Sequence, residues 1–170
     1  EALQRRAFSN RPDYLQHNEK GLAAGFPWPV DYGPELSRSF RAVKVWAHLM
    51  EHGPARIGAA VARNCEQVRY LAGRIDDAAE LERLASVETS ICCFRYRPHD
   101  VVAEDVLDRL NQAIVVELQE SGVAAPSTTR LNGKLAIRVN ITNHRTRFED
   151  IDCLVSSIRE AGARIRNIAE

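Results

Sequence analysis

The pair Asn132-Gly133 constrains this fold more than any other two residues. A two-residue hairpin needs positive φ at both turn positions, and Asn-Gly tolerates that better than almost any other pair. Such a turn joins strands that run antiparallel. "VAAPSTTRLNG" and "KLAIRVNIT" therefore read as two neighbouring strands of one sheet. A further run of β-branched, aromatic and thiol side chains at 91 to 96, ended by Pro98, reads as a third strand.

Helical patterns surround these strands. Ala42, Val43, Trp46, Leu49 and Met50 mark one face of a helix that opens near Arg38. Gly53-Pro54 stops it, with proline suited to the first turn of the next helix. That helix runs from about Pro54 to Asp76, with Ile57, Val61, Cys65, Val68, Leu71 and Ile75 along one side. A third spans about 102 to 121, with Val106, Leu110, Ile114 and Leu118 inward and Gly122 as its cap. The last opens at Thr146 and Glu149, in capping-box spacing, and buries Ile151, Leu154, Val155, Ile158 and Ile165. This order predicts an α+β or α/β layer: a small, mainly antiparallel sheet covered by helices.

Bulk properties narrow the function classes. Formal net charge is zero, so no global basic field invites nucleic acid. No apolar run approaches the roughly 18 residues of a membrane span. The opening "EALQRRAF" has neither an initiator Met nor a signal-peptide shape, which suggests a fragment or a processed end. Cys65, Cys92, Cys93 and Cys153 form no C-x-x-C and read as reduced, buried thiols of a cytoplasmic protein.

Residues 7 to 37 are harder to explain as an ordinary connection. Phe8, Tyr14, Phe26, Trp28 and Tyr32 are five of the chain's eleven aromatics, and all lie in this stretch. Loops this long inside compact domains are uncommon and usually functional or disordered. Tyr14, in "RPDYL", could deliver a proton if its loop closes as a lid; it could equally pack the loop down. "ELSRSFR" follows, placing Arg38 and Arg41 near a helix start, where guanidinium and helix N-terminus together suit a carboxylate. "NHRTR" is a second arginine cluster; either cluster could instead be solvated surface. "HLMEH", His48 to His52, fits H-x-x-E-H, but it abuts Gly53-Pro54 and shows no third ligand, so no zinc role is assigned. Asn140-Ile141-Thr142 is a glycosylation sequon by pattern only, inside an expected strand.

Five strings in order carry a family resemblance. "AFSNRPDYL", then "DYGPELSRSFRAVKVW", then "CCFRYRP" and "LNQAIVVELQESG", then "LAIRVNITNHRT" resemble the group II pyridoxal-phosphate-dependent amino-acid decarboxylases, of the aromatic-L-amino-acid decarboxylase type. The resemblance covers essentially all 170 residues. It implies an α/β enzyme of fold-type I, the aspartate aminotransferase-like class. Residues 1–38 would then end the large domain and carry the catalytic loop. Residues 39–170 would form the small C-terminal α+β domain.

It also implies pyridoxal 5'-phosphate as cofactor, held mainly by an N-terminal portion of the same enzyme. The family's cofactor-binding lysine sits in a His-Lys context, and none of Lys20, Lys44 or Lys134 follows a histidine. Tyr14 aligns with a loop tyrosine that helps protonate the substrate α-carbon after carbon dioxide leaves. Ser37 and Arg38 align with a turn that lines the site from the neighbouring subunit of a homodimer. The expected activity is decarboxylation of an L-amino acid, aromatic for preference, with no nucleic-acid or membrane partner. "GFPWPV" departs from the aromatic decarboxylases, which leaves diaminobutyrate, aspartate or glutamate open as substrates. Two alternatives stand beside this: a binding or oligomerisation module without catalysis, and an aldehyde synthase on the same scaffold.

Overall fold

A computed structural model describes residues 2–8, 19–21, 24–25, 27–100 and 103–169, with side chains to Asn167. It divides into two compact units, Glu1–Glu51 and His52–Glu170.

The first unit holds α1 (Ala2–Ala7), a 3₁₀ turn at Pro29–Tyr32, and the opening turns of α2 (Arg41–Asp76). The helical pattern expected from Arg38 begins three residues later, at Arg41. Among the described residues of this unit only Asp31 is buried. Gly53 interrupts α2 with φ 72 and ψ 158, a conformation open to glycine and costly for other residues. Pro54 then starts the second stretch with its missing N–H at a position that has no helical partner. The expectation of two helices punctuated by Gly53-Pro54 holds.

The second unit contains four strands and the remaining helices. They are β1 (Leu81–Arg83), β2 (Ile91–Tyr96), β3 (Ser127–Leu131) and β4 (Lys134–Asn140), with α3 (Glu104–Glu120) and α4 (Phe148–Ala169). The strand order is β1-β2-β4-β3, and every pairing is antiparallel. The Asn132-Gly133 turn has φ 51 and 83, as a primed hairpin turn requires. β1 was not expected: three residues are too few to show alternation, and pairing with β2 makes them a strand.

Alternation along β2 sends Cys92, Phe94 and Tyr96 into the core and Cys93 and Arg95 to the other side. The core closes with Val68, Leu71 and Ile75 from α2, Ile114 and Leu118 from α3, and Ile151, Val155 and Ile158 from α4. Burial of each such side chain contributes roughly 1.5–3 kcal/mol. Inside α3 the expected inward Val106 is 38% exposed; Leu107, one residue on, takes the buried position. Asn111 is fully buried. Its carboxamide accepts from the Tyr96 N–H at 2.7 Å and donates to the carbonyls of Tyr96 and Leu107 at 2.8 and 2.9 Å. It therefore fastens α3 to the end of β2. At α4 the reciprocal half of the capping box is shifted one residue from the expected Thr146/Glu149 pair. The Arg147 N–H donates to the Asp150 carboxylate at 2.9 Å.

Candidate functional site

Tyr14 lies outside the described residues. Ser37 and Arg38 are described, and both are exposed. Ser37 makes no side-chain bond among the described residues. Arg38 donates from Nη2 to the Pro29 carbonyl at 2.8 Å. A guanidinium has five N–H donors, so one tether leaves most of the fork available to an anion. The tether itself is a feature that the sequence did not disclose, because it joins side chain to backbone nine residues apart. Arg41, the other cation nominated here, is differently placed. Its Nη2 lies 3.1 Å from Glu35 Oε1, an exposed pair worth little in stability but sufficient to occupy that fork partly.

The turn next to Arg38 is fixed from three sides. Asp31, 3% exposed, accepts the Trp28 N–H at 2.8 Å, and its own N–H donates to the Trp28 carbonyl at 2.9 Å. Gln4 donates to the Tyr32 carbonyl at 2.9 Å. Sequence reasoning passed over Asp31, whose setting in "PVDYG" looks like an ordinary acidic turn residue. The unit thus anchors the end of the aromatic stretch, and it holds an arginine fork at the surface. Chemically, that arrangement can bind and orient a carboxylate.

A second cation was also missed. Arg138 is half-buried on β4, beside Cys93, and its guanidinium has no acid partner among the described residues. It lines a cavity of about 390 Å³ together with Ser127, Pro126, Asn140 and Leu154. A half-buried guanidinium can take a carboxylate or phosphate, and the Asp150 carboxylate lines the same cavity. The available signal was one charged residue at an alternation position of "LAIRVN". By contrast Arg95, 1% exposed, is fully engaged: Nε meets Glu82 at 2.7 Å and Nη1 meets Glu104 at 2.6 Å. The bond from Arg95 holds the Glu104 carboxyl below the usual range.

The cysteines are not arranged as nucleophiles. All four are free, as expected, but only Cys92 is buried; Cys65 and Cys93 are half-buried and Cys153 is exposed, which corrects the expectation of buried thiols throughout. Burial pushes the Cys92 thiol up to about 12, and burial also raises Cys93 against the opposing pull of Arg138. Among the described residues no group of three or more His, Cys, Asp or Glu converges as a metal site, so the His48/His52 pair gathers no third ligand there. No described helix is long and apolar enough to cross a membrane.

With this geometry in place, comparisons with known proteins become informative. A family model described as the pyridoxal-dependent decarboxylase conserved domain matches residues 1–97, more than half of the chain. An aromatic-L-amino-acid decarboxylase of Bacillus atrophaeus is 30% identical over 157 residues, covering 91% of this chain and 32% of that protein. A human histidine decarboxylase is 29% identical, covering 93% of this chain and 22% of that protein. A solved glutamate decarboxylase domain of a diaminobutyrate-pyruvate transaminase and L-2,4-diaminobutyrate decarboxylase from Vibrio parahaemolyticus is 28% identical. It superposes with a TM-score of 0.65, covering 72% of this chain and 26% of that one. The chain thus spans about a third or less of the length of these relatives. Its fold is of the fold-type I decarboxylase class, α/β, with a four-stranded antiparallel sheet and helices, as the resemblance implied.

The described residues do not by themselves fit a pyridoxal phosphate site. Neither Lys20 nor Lys44 nor Lys134 follows a histidine, and Lys134 leans toward Glu82 at 3.9 Å. Ser37 and Arg38 form no enclosing cradle among the described residues.

Proposed function

The chain belongs to the pyridoxal-dependent decarboxylase family, and on that footing we propose that its full-length protein decarboxylates an aromatic L-amino acid to the amine. The observation that carries this reading is the family match over residues 1–97, the stretch that includes Tyr14, Ser37 and Arg38. The aromatic preference rests on the similarity to an aromatic-L-amino-acid decarboxylase at 30% identity. Bound pyridoxal phosphate would supply the electron sink for the bond that breaks, and polypeptide outside these 170 residues would hold it.

This chain's own residues have narrower tasks. Tyr14 donates a proton to the substrate α-carbon, a role suited to a phenol that is a poor base near neutral pH. Arg38, tethered to the Pro29 carbonyl, keeps its remaining donors for a carboxylate, and Ser37 lies beside it. On this reading residues 1–38 complete the large domain and 39–170 form the small one. The partners are an N-terminal portion of the same enzyme and a second subunit. Four free thiols suit the cytoplasm as the working compartment.

The test is a panel of amino acids offered to the full-length gene product, with carbon dioxide and amine measured together. An aromatic substrate should give both in equal amounts. Tyr14→Phe should slow amine formation by roughly 10²–10⁴-fold, the usual worth of general acid catalysis. Unchanged amine output would remove Tyr14 from the role. Aldehyde in place of amine from the unaltered protein would transfer the reading to an aldehyde synthase.

A further inference from the structure

Among the described residues Asp31 is the only buried carboxylate. It is 3% exposed, in a unit whose other described residues are all more open to solvent. Taking a carboxylate out of water is costly unless hydrogen bonds compensate. No step of the chemistry proposed above uses this group. Its burial is explained by what it holds.

It holds one end of a short polar chain. Asp31 Oδ2 accepts the Trp28 N–H at 2.8 Å, and the Asp31 N–H donates to the Trp28 carbonyl at 2.9 Å. Both bonds close on one residue, so the backbone between them is fixed. Pro29 lies inside that closed turn, and its ring restrains φ as well. Its carbonyl accepts Arg38 Nη2 at 2.8 Å. The same Nη2 lies 3.6 Å from where a side chain would begin at Gly33, so the guanidinium sits against the backbone of this turn. Glu35, the nearest acid in sequence, does not compete for it: Arg41 Nη2 lies 3.1 Å from Glu35 Oε1. A guanidinium is planar, so anchoring one nitrogen orients the fork that a carboxylate takes with two parallel bonds.

We propose that Asp31 is a positioning residue for carboxylate recognition: it fixes the Pro29 carbonyl, and that carbonyl aims the Arg38 fork. The proposal rests on the carboxylate role given to Arg38 above. Asp31 itself touches no substrate; it acts through Arg38. A small misplacement of such a fork weakens binding of the group it grips, while a ligand without that group is unaffected.

The experiment compares variants of the full-length protein with the amino acid it decarboxylates and with the product amine, which has no carboxylate. Asp31→Ala should raise KM about tenfold and lower kcat by less than about threefold. Asp31→Asn keeps an acceptor oxygen for the Trp28 N–H and should return KM to within about threefold of the unaltered value. The amine's Ki should stay within about twofold in each variant, whereas general loosening of the unit would raise it along with KM. Adding Asp31→Ala to Arg38→Ala should raise KM by less than about twofold more, because both act through one fork. An unmoved KM in Asp31→Ala, an Asp31→Asn variant equally impaired, additive losses in the double variant, or an amine Ki that rises with KM overturns the proposal and leaves the decarboxylase reading standing. An unmoved KM in Arg38→Ala removes the carboxylate role of Arg38 and this proposal with it. If no amino acid releases carbon dioxide, the decarboxylase reading fails separately. The variants are then compared by calorimetry with L-phenylalanine and phenethylamine, Kd taking the place of KM; a single Kd throughout, or no binding, overturns the proposal.

Discussion

The two ends of α2 carry the same kind of side chain at the same spacing and meet opposite fates. Val68, Leu71 and Ile75 are fully buried, whereas Val43, Trp46 and Met50 are 40 to 69% exposed. The late turns reach a sheet and two helices of their own unit. The early turns belong to a unit whose single buried described residue is an aspartate. Periodicity therefore says that a face is meant to be covered; it does not say which polypeptide provides the cover.

The contrast is broken most directly by truncation at both ends. In the 170-residue chain Leu71→Ala should cost about 2–5 kcal/mol, since it opens a cavity in the core. Trp46→Ala should fall within about 0.5 kcal/mol, as expected of a surface change. Urea denaturation of the two variants checks this, and comparable losses would mean that the early turns are already buried in the isolated chain.

A smaller effect sharpens what holds the buried end. Asn111→Leu keeps the volume roughly but leaves the Tyr96 N–H and carbonyl without partners, at a cost of about 1–3 kcal/mol. An equally stable variant would show that α3 is held by apolar contact alone.

The smallest expected effect is in acid. The Leu135 N–H, at 2.9 Å, holds the Asp108 carboxyl below the ordinary aspartate range, and Arg130 adds to this. A depressed carboxyl stabilises the fold fully above its unfolded value, near pH 4, and ceases to do so as pH falls through the folded value. Asp108→Asn should therefore flatten the fall in stability below about pH 4 and leave the curve's shape at neutral pH unchanged. An identical acid slope in the variant would show that the hairpin is not tied to α3 through this group.

How legible each part was follows from how local its cause is. The Asn132-Gly133 hairpin, the break at Gly53-Pro54 and the buried stripe of α4 were readable because a few adjacent residues decide them. β1 was not, since Leu81–Arg83 is a strand only by pairing with β2. Val106 failed because helix rotation against the sheet, which sequence spacing leaves free by one position, selected Leu107 instead. At the candidate site, Tyr14, Ser37 and Arg38 were nominated by resemblance. The tether from Arg38 to the Pro29 carbonyl, the burial of Asp31 and an Arg138 without an acid partner among the described residues emerged only from the tertiary structure.

The order of residues by itself determined the antiparallel sheet, its helical cover and the family, because turn chemistry, periodicity and ordered motifs are written along the chain. Tertiary structure alone decided which apolar faces found cover, which charges were paired and which were left open. Those outcomes depend on distances between residues far apart in sequence. In a low-dielectric interior, or at an uncovered face, such distances set the energies.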